Sequence, residues 1–273
     1  MSPRLAALLA LAFLSSAQAA EKLTVSLATE PLLQSRLNAG LVPYKEREQT
    51  IVNLFTEAGC KVDLQPVTRK ANNVICTLPG ATDPQPILVG AHLDFVDKGQ
   101  GIIDDWTGTS MLVSLYQALK SVPRKHTFIF IAFAKEEDGL VGSTKFVSVL
   151  DRPQRSAIRA FVNLECLGTG PTKLWIHRST PELIDDIAYV ADLLKIPVSG
   201  VDVDRVGDDD THPFKDARIP VITIHSITQE TWPYLHSKRD RMDAIHLQNY
   251  AESYRLVAFF LAYLDSNVLK PAA

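Results

Sequence analysis

Histidine and carboxylate residues recur in this sequence just after apolar runs or in the loop before a helix. Imidazoles and carboxylates gathered at one place repel each other or stay unpaired unless a cation binds between them. Nitrogen and oxygen ligands of this kind suit divalent zinc, and zinc sites of this type activate water for hydrolysis. The five clusters are His92 with Asp94, Asp104 with Asp105, Glu136 with Glu137, Glu165, and His236 with Asp240.

Short apolar runs precede several of these clusters and are typical of buried strands. Residues 86–92 and 159–164 end at or next to His92 and Glu165, and the near-continuous run 127–133 leads into the glutamate pair. A run of this kind indicates a strand covered on both faces. Because parallel strands present their carboxyl ends at one sheet edge, we expect the clusters to meet there.

Strand-like and helix-like segments alternate from residue 86 onward, which favours a parallel sheet with helices on both sides. Residues 61–67 and 72–78 alternate apolar and polar side chains and predict an antiparallel pair at one edge. The predicted fold class is therefore α/β, a three-layer sandwich with a mixed, mainly parallel central sheet flanked by helices. No change in composition divides residues 21–273, so we expect a single domain there.

The overall composition excludes two classes of protein. The chain has 273 residues, of which 46% are hydrophobic and 22% charged, so intrinsic disorder is disfavoured. The formal net charge of −3 argues against a nucleic-acid partner. The sequence specifies no oligomeric state.

Residues 1–20 form a separate segment with the pattern of a secretory signal peptide. Arg4 precedes the apolar run 5–14, and residues 17–19 read Ala-Gln-Ala, a small-residue cleavage pattern. The apolar run is shorter than the ~20 residues that span a bilayer, which disfavours an anchor. We therefore predict an exported protein, periplasmic or secreted, without stable membrane insertion.

Three cysteines leave at least one thiol unpaired within the chain. Cys60 and Cys76 flank two predicted adjacent strands and could form a disulfide in an oxidising compartment, but their spacing leaves this open. Cys166 directly follows Glu165. Strand alternation predicts that these two side chains point apart, with Cys166 a buried packing thiol.

Taken together, the motifs resemble peptidase family M28, the zinc-dependent peptidases of the aminopeptidase Y type, over residues 85–265. Each motif is short, but their order and spacing make the resemblance specific. The motifs are Gly-Ala-His-Leu-Asp at 90–94, Asp-Asp-Trp-Thr-Gly at 104–108, Glu-Glu-Asp-Gly-Leu-Val-Gly-Ser at 136–143, Asn-Leu-Glu at 163–165, Asp210 with Phe214 and Pro220, and His236 with Asp240.

The resemblance implies two zinc ions per chain, although one ion is also possible. His92 and Glu165 would hold one zinc, Glu137 and His236 the other, and Asp104 would bridge them. Two residues depart from the family: Glu165 stands where aspartate is usual, and Lys135 stands where many relatives have glycine before the glutamate pair. With its additional methylene, the Glu165 carboxylate could still reach the metal, but it could also bind it in a bidentate way or shift the first metal.

The same resemblance assigns roles to three further acidic residues. Glu136 is the general base, which takes the proton of the attacking water. Asp94 orients the imidazole of His92 by accepting its second N–H, and Asp240 serves His236 in the same way. The implied substrates are peptides that lose their N-terminal residue.

Residues near these motifs supply candidates for a substrate pocket. Four other histidines match no ligand position and are expected to be structural: His126, His177, His225 and His246. The candidate pocket residues are Trp106, Asp210, His212, Trp232 and Tyr234.

Two other functions are compatible with this resemblance. Glutaminyl cyclases resemble the family in fold but keep one zinc, and Trp232 near His236 is similar to their tryptophan-rich loops. Non-catalytic binding domains of the same fold typically lose ligands, whereas a full ligand set is present here. A serine hydrolase is disfavoured because the sequence lacks a G-x-S-x-G motif.

Overall fold

An eight-stranded mixed sheet forms the centre of the computed structural model, which describes residues 23–205 and 207–266. The predicted signal peptide at 1–20 lies outside these residues. The strand order across the sheet is β1-β2-β4-β3-β5-β8-β6-β7. The strands are β1 Val62–Thr68, β2 Ala71–Leu78, β3 Asp83–His92, β4 His126–Phe133, β5 Ala160–Leu164, β6 Lys173–Leu174, β7 Ser199–Gly200 and β8 Val221–His225.

The central strands β4, β3, β5 and β8 are parallel neighbours. β1 pairs antiparallel with β2 at one edge, as the alternating pattern predicts, and Pro66 lies on that edge strand. β2 then pairs antiparallel with β4, and β6 pairs antiparallel with β8. The mixed, mainly parallel sheet of the predicted α/β fold is confirmed.

Helices cover both faces of the sheet and enclose two apolar cores. The larger core packs α1, α2, α3, α6 and α8 against one face, and the smaller core packs α4 and α7 against the other. Alternation along β3 places Ile87 and Val89 in the larger core and Leu88 in the smaller. The helices are α1 Glu30–Asn38, α2 Arg47–Glu57, α3 Thr107–Lys120, α4 Val141–Ser148, α5 Arg152–Ala157, α6 Pro181–Leu194, α7 Thr211–Asp216 and α8 Leu247–Ser266.

Local differences from the sequence expectations are confined to short elements. The helix that follows Asp104 and Asp105 begins at Thr107, after an irregular turn at Ile102–Trp106 whose backbone is non-helical at those two residues. The short helices α5 and α7 carry too few residues to show a helical period. No helix within the described residues combines the length and the apolar character that crossing a bilayer requires.

Cys60 and Cys76 form a disulfide that ties the end of α2 to β2, with their Cα atoms 6.1 Å apart. The bond closes a loop with a sequence separation of 16. Loop closure of this size restricts the unfolded chain and stabilises the fold by about 3 kcal/mol. The sequence left the pairing of Cys60 with Cys76 open, and the structure contains this disulfide.

We expect the double variant Cys60→Ser/Cys76→Ser to lose about 3 kcal/mol of unfolding free energy, because its unfolded chain is no longer cross-linked. Urea unfolding of the variant and of oxidised wild type measures this loss. Wild type kept reduced throughout the titration serves as the control and should match the variant. A variant as stable as the oxidised wild type contradicts the prediction.

Candidate metal centre

Three parallel strands end at the same edge of the sheet, and a candidate metal ligand lies at or after the end of each. His92 is the last residue of β3, Glu137 lies in the loop after β4, and Glu165 follows β5 directly. Asp104 comes from the turn before α3, and His236 comes from the loop after β8. The fold thus brings all five predicted ligands to one place.

Asp104 lies at the centre of this group and offers one carboxylate oxygen to each histidine. Its Oδ1 is 3.0 Å from His92 Nε2, and its Oδ2 is 3.2 Å from His236 Nε2. Glu165 Oε1 lies 3.4 Å from His92 Nε2, and Glu137 Oε2 lies 2.9 Å from His236 Nε2. The five side chains therefore form two sets of donors that share one carboxylate.

The donor spacing fits divalent zinc. Zinc binds nitrogen and oxygen at about 2.0–2.2 Å, which places two ligand atoms of a tetrahedral site ~3.3 Å apart. Burial raises the pKa of Asp104, but hydrogen bonds with His236 and His92 outweigh it and hold that pKa well below its usual range. The carboxylate is thus ionised and able to face a cation on both sides.

The carboxylate of Asp94 lies near His92, as expected, but its hydrogen bonds go to the backbone of the glutamate pair. His92 Nδ1 lies 3.0 Å from the backbone oxygen of Asp94 and 3.8 Å from its carboxylate Oδ1. The two carboxylate oxygens accept the backbone N–H groups of Glu136 at 3.1 Å and Glu137 at 3.2 Å. Asp94 therefore fixes the imidazole through its backbone and the glutamate pair through its side chain.

The loop that carries the two glutamates is also held at both ends. Asn73 on β2 is fully buried, and its Oδ1 accepts the N–H of Ala134 while its Nδ2 donates to the Gly142 oxygen, each at 2.9 Å. Lys135, at φ 64°, pairs with Asp138 at 3.0 Å. A left-handed non-glycine residue persists only where its surroundings fix it, so this loop is pre-organised.

Asp240 supports the turn before Asp104. Its Oδ1 accepts the backbone N–H of Ile103 at 2.7 Å, and its side chain is buried. The expectation that Asp240 orients His236 finds no such contact among the hydrogen bonds of the described residues. Because Ile103 directly precedes Asp104, this hydrogen bond helps to hold the Asp104 carboxylate in place.

Asp105 connects the start of α3 to the end of β5. Its Oδ1 accepts the N–H groups of Gly108 and Cys166, both at 3.0 Å, while its buried Oδ2 has no hydrogen-bond partner in the described part of the chain. A Cβ at Gly108 would lie 2.4 Å from Asp105 Oδ2, so a glycine is required there. The buried, unpartnered oxygen beside the centre is further evidence that the site suits a cation.

Cys166 is buried, as predicted, but the side-chain direction inferred for it was wrong. Its Sγ lies 3.2 Å from Glu165 Oε1, on the same side as its neighbour. The reason is that β5 ends at Leu164 and Cys166 adopts φ 50°, so strand alternation does not reach it. Burial and nearby carboxylates raise the pKa of this thiol well above its usual range, so it is no free nucleophile.

A cavity of about 420 Å³ opens beside the donor sets, and Glu136 lies in its wall. Parts of the chain far apart in sequence build its apolar side. Most of these residues were not foreseen, because each is a single apolar residue in a loop or after a very short strand. The apolar lining residues are Leu140, Trp175, Val203, Ile227, Trp232 and Leu235.

Of the five predicted pocket residues, Trp232 alone lines this cavity. Trp106 is fully buried and donates its indole N–H to a backbone oxygen of α1 at 2.9 Å. Asp210 is fully buried, and Tyr234 packs against a small apolar cluster. His212 lines a separate surface groove. Nearness in sequence to a ligand motif did not identify the pocket wall.

His225, expected to be structural, is a buried part of the cavity wall. Its Nδ1 accepts the Ile227 N–H at 3.1 Å, so the proton lies on Nε2, which donates to the Val201 oxygen at 3.0 Å. Burial lowers the pKa of His225 to about 4. The neutral imidazole thus ties the end of β8 to the loop after β7.

Acidification should weaken the fold through His225. Its pKa rises from about 4 in the folded state to ~6.5 in the unfolded chain, so the stability it contributes is full above pH 6.5. That contribution is lost as the pH falls from 6.5 to 4, by about 3 kcal/mol in all. Urea unfolding of wild type and His225→Gln at pH 7.5 and pH 4 should show the difference between them narrowing by this amount. A difference that stays constant with pH contradicts the assignment.

Comparison with known proteins gives a family match over most of the described chain. Residues 73–261 match the model of Peptidase family M28. Leupeptin-inactivating enzyme 1 of Streptomyces exfoliatus is 27% identical over 188 residues, which are 67% of this chain and 42% of that protein. Aminopeptidase YwaD of Bacillus subtilis is 28% identical over 185 residues, 64% of this chain and 40% of that protein. The chain thus spans less than half the length of these curated relatives.

Solved structures share the fold. LapA of Legionella pneumophila superposes with a TM-score of 0.78 at 19% identity, over 88% of this chain and 74% of that one. The zinc aminopeptidase BSAP of Bacillus subtilis superposes with a TM-score of 0.64 at 24% identity, over 71% of this chain and 49% of that one. A glutaminyl cyclase of an Acidobacteriales bacterium superposes with a TM-score of 0.71 at 18% identity, over 89% of this chain and 97% of that one.

Proposed function

This chain belongs to peptidase family M28, and we propose that it is a zinc-dependent aminopeptidase acting through two metal ions. One observation carries the proposal: Asp104 offers one oxygen to each of two histidine-containing donor sets, at 3.0 and 3.2 Å. In two-metal hydrolases a shared ligand of this kind holds the ions ~3.5–4 Å apart. Both donor sets are complete in this chain.

The chemistry divides between the metal and the protein. Zinc bound at this centre would polarise the scissile carbonyl and lower the pKa of the attacking water. Glu136 takes the proton from that water and delivers it to the leaving amine. Asp94 and Asn73 hold the loop of Glu136 so that its carboxylate stays in the cavity wall.

The cavity suggests the substrate class. Carboxylates at its metal end favour a positively charged α-amine, and the apolar side built by Trp175, Ile227 and Trp232 favours a bulky apolar side chain. We therefore propose that the cavity binds the N-terminal residue of a peptide and prefers leucine-like or aromatic side chains. The name of one relative, leucine aminopeptidase 2 of Trichophyton rubrum, supports this preference. That protein is 32% identical over 97 residues, which are 36% of this chain and 20% of the relative.

Metal analysis together with a substrate panel tests the proposal. We expect two zinc ions per chain after saturation and release of apolar residues from aminoacyl-arylamides. The same compounds acetylated at the amine are the control and should not be cleaved. A saturated protein that cleaves no unblocked aminoacyl substrate contradicts the proposal and favours a binding domain of the same fold.

Glutaminyl cyclase is the second candidate, because the chain covers 97% of a solved cyclase, whereas it covers less than half of the curated relatives. A cyclase would release ammonia from N-terminal glutaminyl peptides and leave the peptide bond intact. It would also reach saturation with one zinc. Including a glutaminyl peptide in the panel and measuring ammonia separates the two reactions.

Export is part of the proposal and is supported by the disulfide between Cys60 and Cys76, since such bonds persist in oxidising compartments. We expect the exported protein to begin at Ala20 or Glu21, after the small-residue pattern at 17–19. Intact mass of the protein from the periplasm or medium measures this. Retention of residues 4–14 in exported protein contradicts it.

A further inference from the structure

The thiol of Cys166 lies within the donor group of the metal centre. Its Sγ is 3.2 Å from Glu165 Oε1, and the ligand atoms of Cys166, Glu165 and Asp104 all lie within 4.8 Å of one another. Zinc–sulfur bonds of about 2.3 Å and zinc–oxygen bonds of ~2.0 Å place the two ligand atoms ~3.5 Å apart in a tetrahedral site. The observed sulfur–oxygen separation is close to that value.

The backbone holds the sulfur there. Cys166 adopts φ 50°, and Asp105 Oδ1 accepts its N–H at 3.0 Å, so the side chain turns to the same side as that of Glu165. Cys166 also lines the cavity at which the metal ligands meet. Without a metal the thiol donates a hydrogen bond to Glu165 Oε1, and the same direction points its sulfur at the donor group.

A second observation, at Asp105, points to a cation beside Glu165. The Oδ2 atom of Asp105 is buried and has no hydrogen-bond partner within residues 23–205 and 207–266, and Asp105 groups with His92 and Glu165 within 4.8 Å. A buried carboxylate oxygen left without a partner is costly unless positive charge lies near it. Cys166 and Asp105 thus both lie beside Glu165, Cys166 in a group with Asp104 and Asp105 in a group with His92.

We propose that Cys166 binds, as a thiolate, the metal ion held by His92, Asp104 and Glu165. The inference rests on the proposed metal centre and assigns a ligand beyond it. When the ion binds, the thiol releases its proton to solvent and the sulfur–metal bond forms. Among the described residues, the second site has nitrogen and oxygen donors from Asp104, Glu137 and His236.

Sulfur makes the two sites chemically different. Thiolate favours zinc, cadmium and cobalt over harder ions such as magnesium and manganese, whereas carboxylates accept both classes. The site with Cys166 should therefore fill first with cadmium and discriminate more strongly against manganese than the other site. This difference is a property of metal binding and is measurable without any turnover.

Cobalt substitution of metal-free protein tests the proposal directly. Co²⁺-loaded wild type should show a thiolate-to-cobalt charge-transfer band in the near ultraviolet. Cys166→Ser should lose the band and bind Cd²⁺ roughly 10–100-fold more weakly, since losing a ligand costs at least as much as losing its supporting hydrogen bond. Ile227→Ala perturbs the same apolar cluster but keeps the thiol, so it should keep the band.

The outcomes separate this inference from the proposed function. Two bound cobalt ions without a thiolate band, or equal Cd²⁺ affinity in wild type and Cys166→Ser, overturn the Cys166 assignment and leave the metal centre intact. A folded wild-type protein that binds no cobalt overturns both. Circular dichroism of each variant identifies unfolded protein, and Cys166→Ala provides a second, apolar replacement if the serine variant does not fold.

Discussion

Glu136→Gln is expected to lower kcat by about 10²–10⁴ while the bound zinc stays near the wild-type amount. The amide has nearly the shape of the carboxylate but cannot accept the proton of the attacking water, and general base catalysis contributes a factor of this size. The Asp94 contact should persist, because it uses the backbone N–H of Glu136. Steady-state kinetics on an aminoacyl-arylamide and elemental analysis of the same samples measure both quantities.

Glu137→Gln is the matched control, since it makes the same chemical change one residue away. Glu137 lies 2.9 Å from His236 Nε2 in a donor set, so its loss should weaken one metal site, and added zinc should restore part of the activity. Our assignment is contradicted if Glu136→Gln loses zinc as readily as Glu137→Gln. It is also contradicted if Glu136→Gln retains full activity on every substrate that wild type cleaves.

The location of the metal centre followed from the sequence because two simple patterns determine it. Apolar runs end next to His92 and Glu165, and parallel strands must present those ends at one edge. The fold class followed from the same alternation of strands and helices. For this reason the five clusters were expected at one sheet edge without any knowledge of side-chain conformations, and the resemblance to family M28 selected the five ligand candidates among them.

The supporting contacts could not be deduced in this way. Asp94 bonds the glutamate pair across 42 and 43 residues, and Asp240 bonds Ile103 across 137. Such contacts depend on how loops return to the sheet, which has no periodic signal in sequence. Cys166 illustrates the same point, since one residue at φ 50° reverses the direction that strand alternation assigns to it.

The pocket wall was the least predictable part of the site. The candidate Trp106 is fully buried, whereas Trp175 lines the cavity from a position just after the two-residue strand β6. Apolar residues that line a cavity have the same composition as those that fill a core. Only the three-dimensional arrangement tells them apart, so a substrate preference could not be assigned before the cavity was known.

Asp104→Asn is expected to have the other large effect, the loss of metal from both sites at once. The carboxylate gives Oδ1 to the set containing His92 and Oδ2 to the set containing His236. An amide is neutral and offers one oxygen, so it cannot serve both sets. We expect metal affinity at each site to fall at least ~100-fold, the upper end of the loss seen when a ligand's supporting contact is removed.

Zinc-dependent stability provides a readout for Asp104→Asn that does not depend on activity. A ligand that binds only the folded state raises the unfolding free energy in proportion to the logarithm of its concentration over Kd. Zinc should therefore raise the Tm of wild type and of Asp97→Asn, an exposed charge-matched control in the loop after β3, but not that of Asp104→Asn. His92→Ala and His236→Ala should each lose one ion and retain part of the shift. Should Asp104→Asn still bind one zinc tightly, the shared carboxylate, and with it the two-metal mechanism, is refuted.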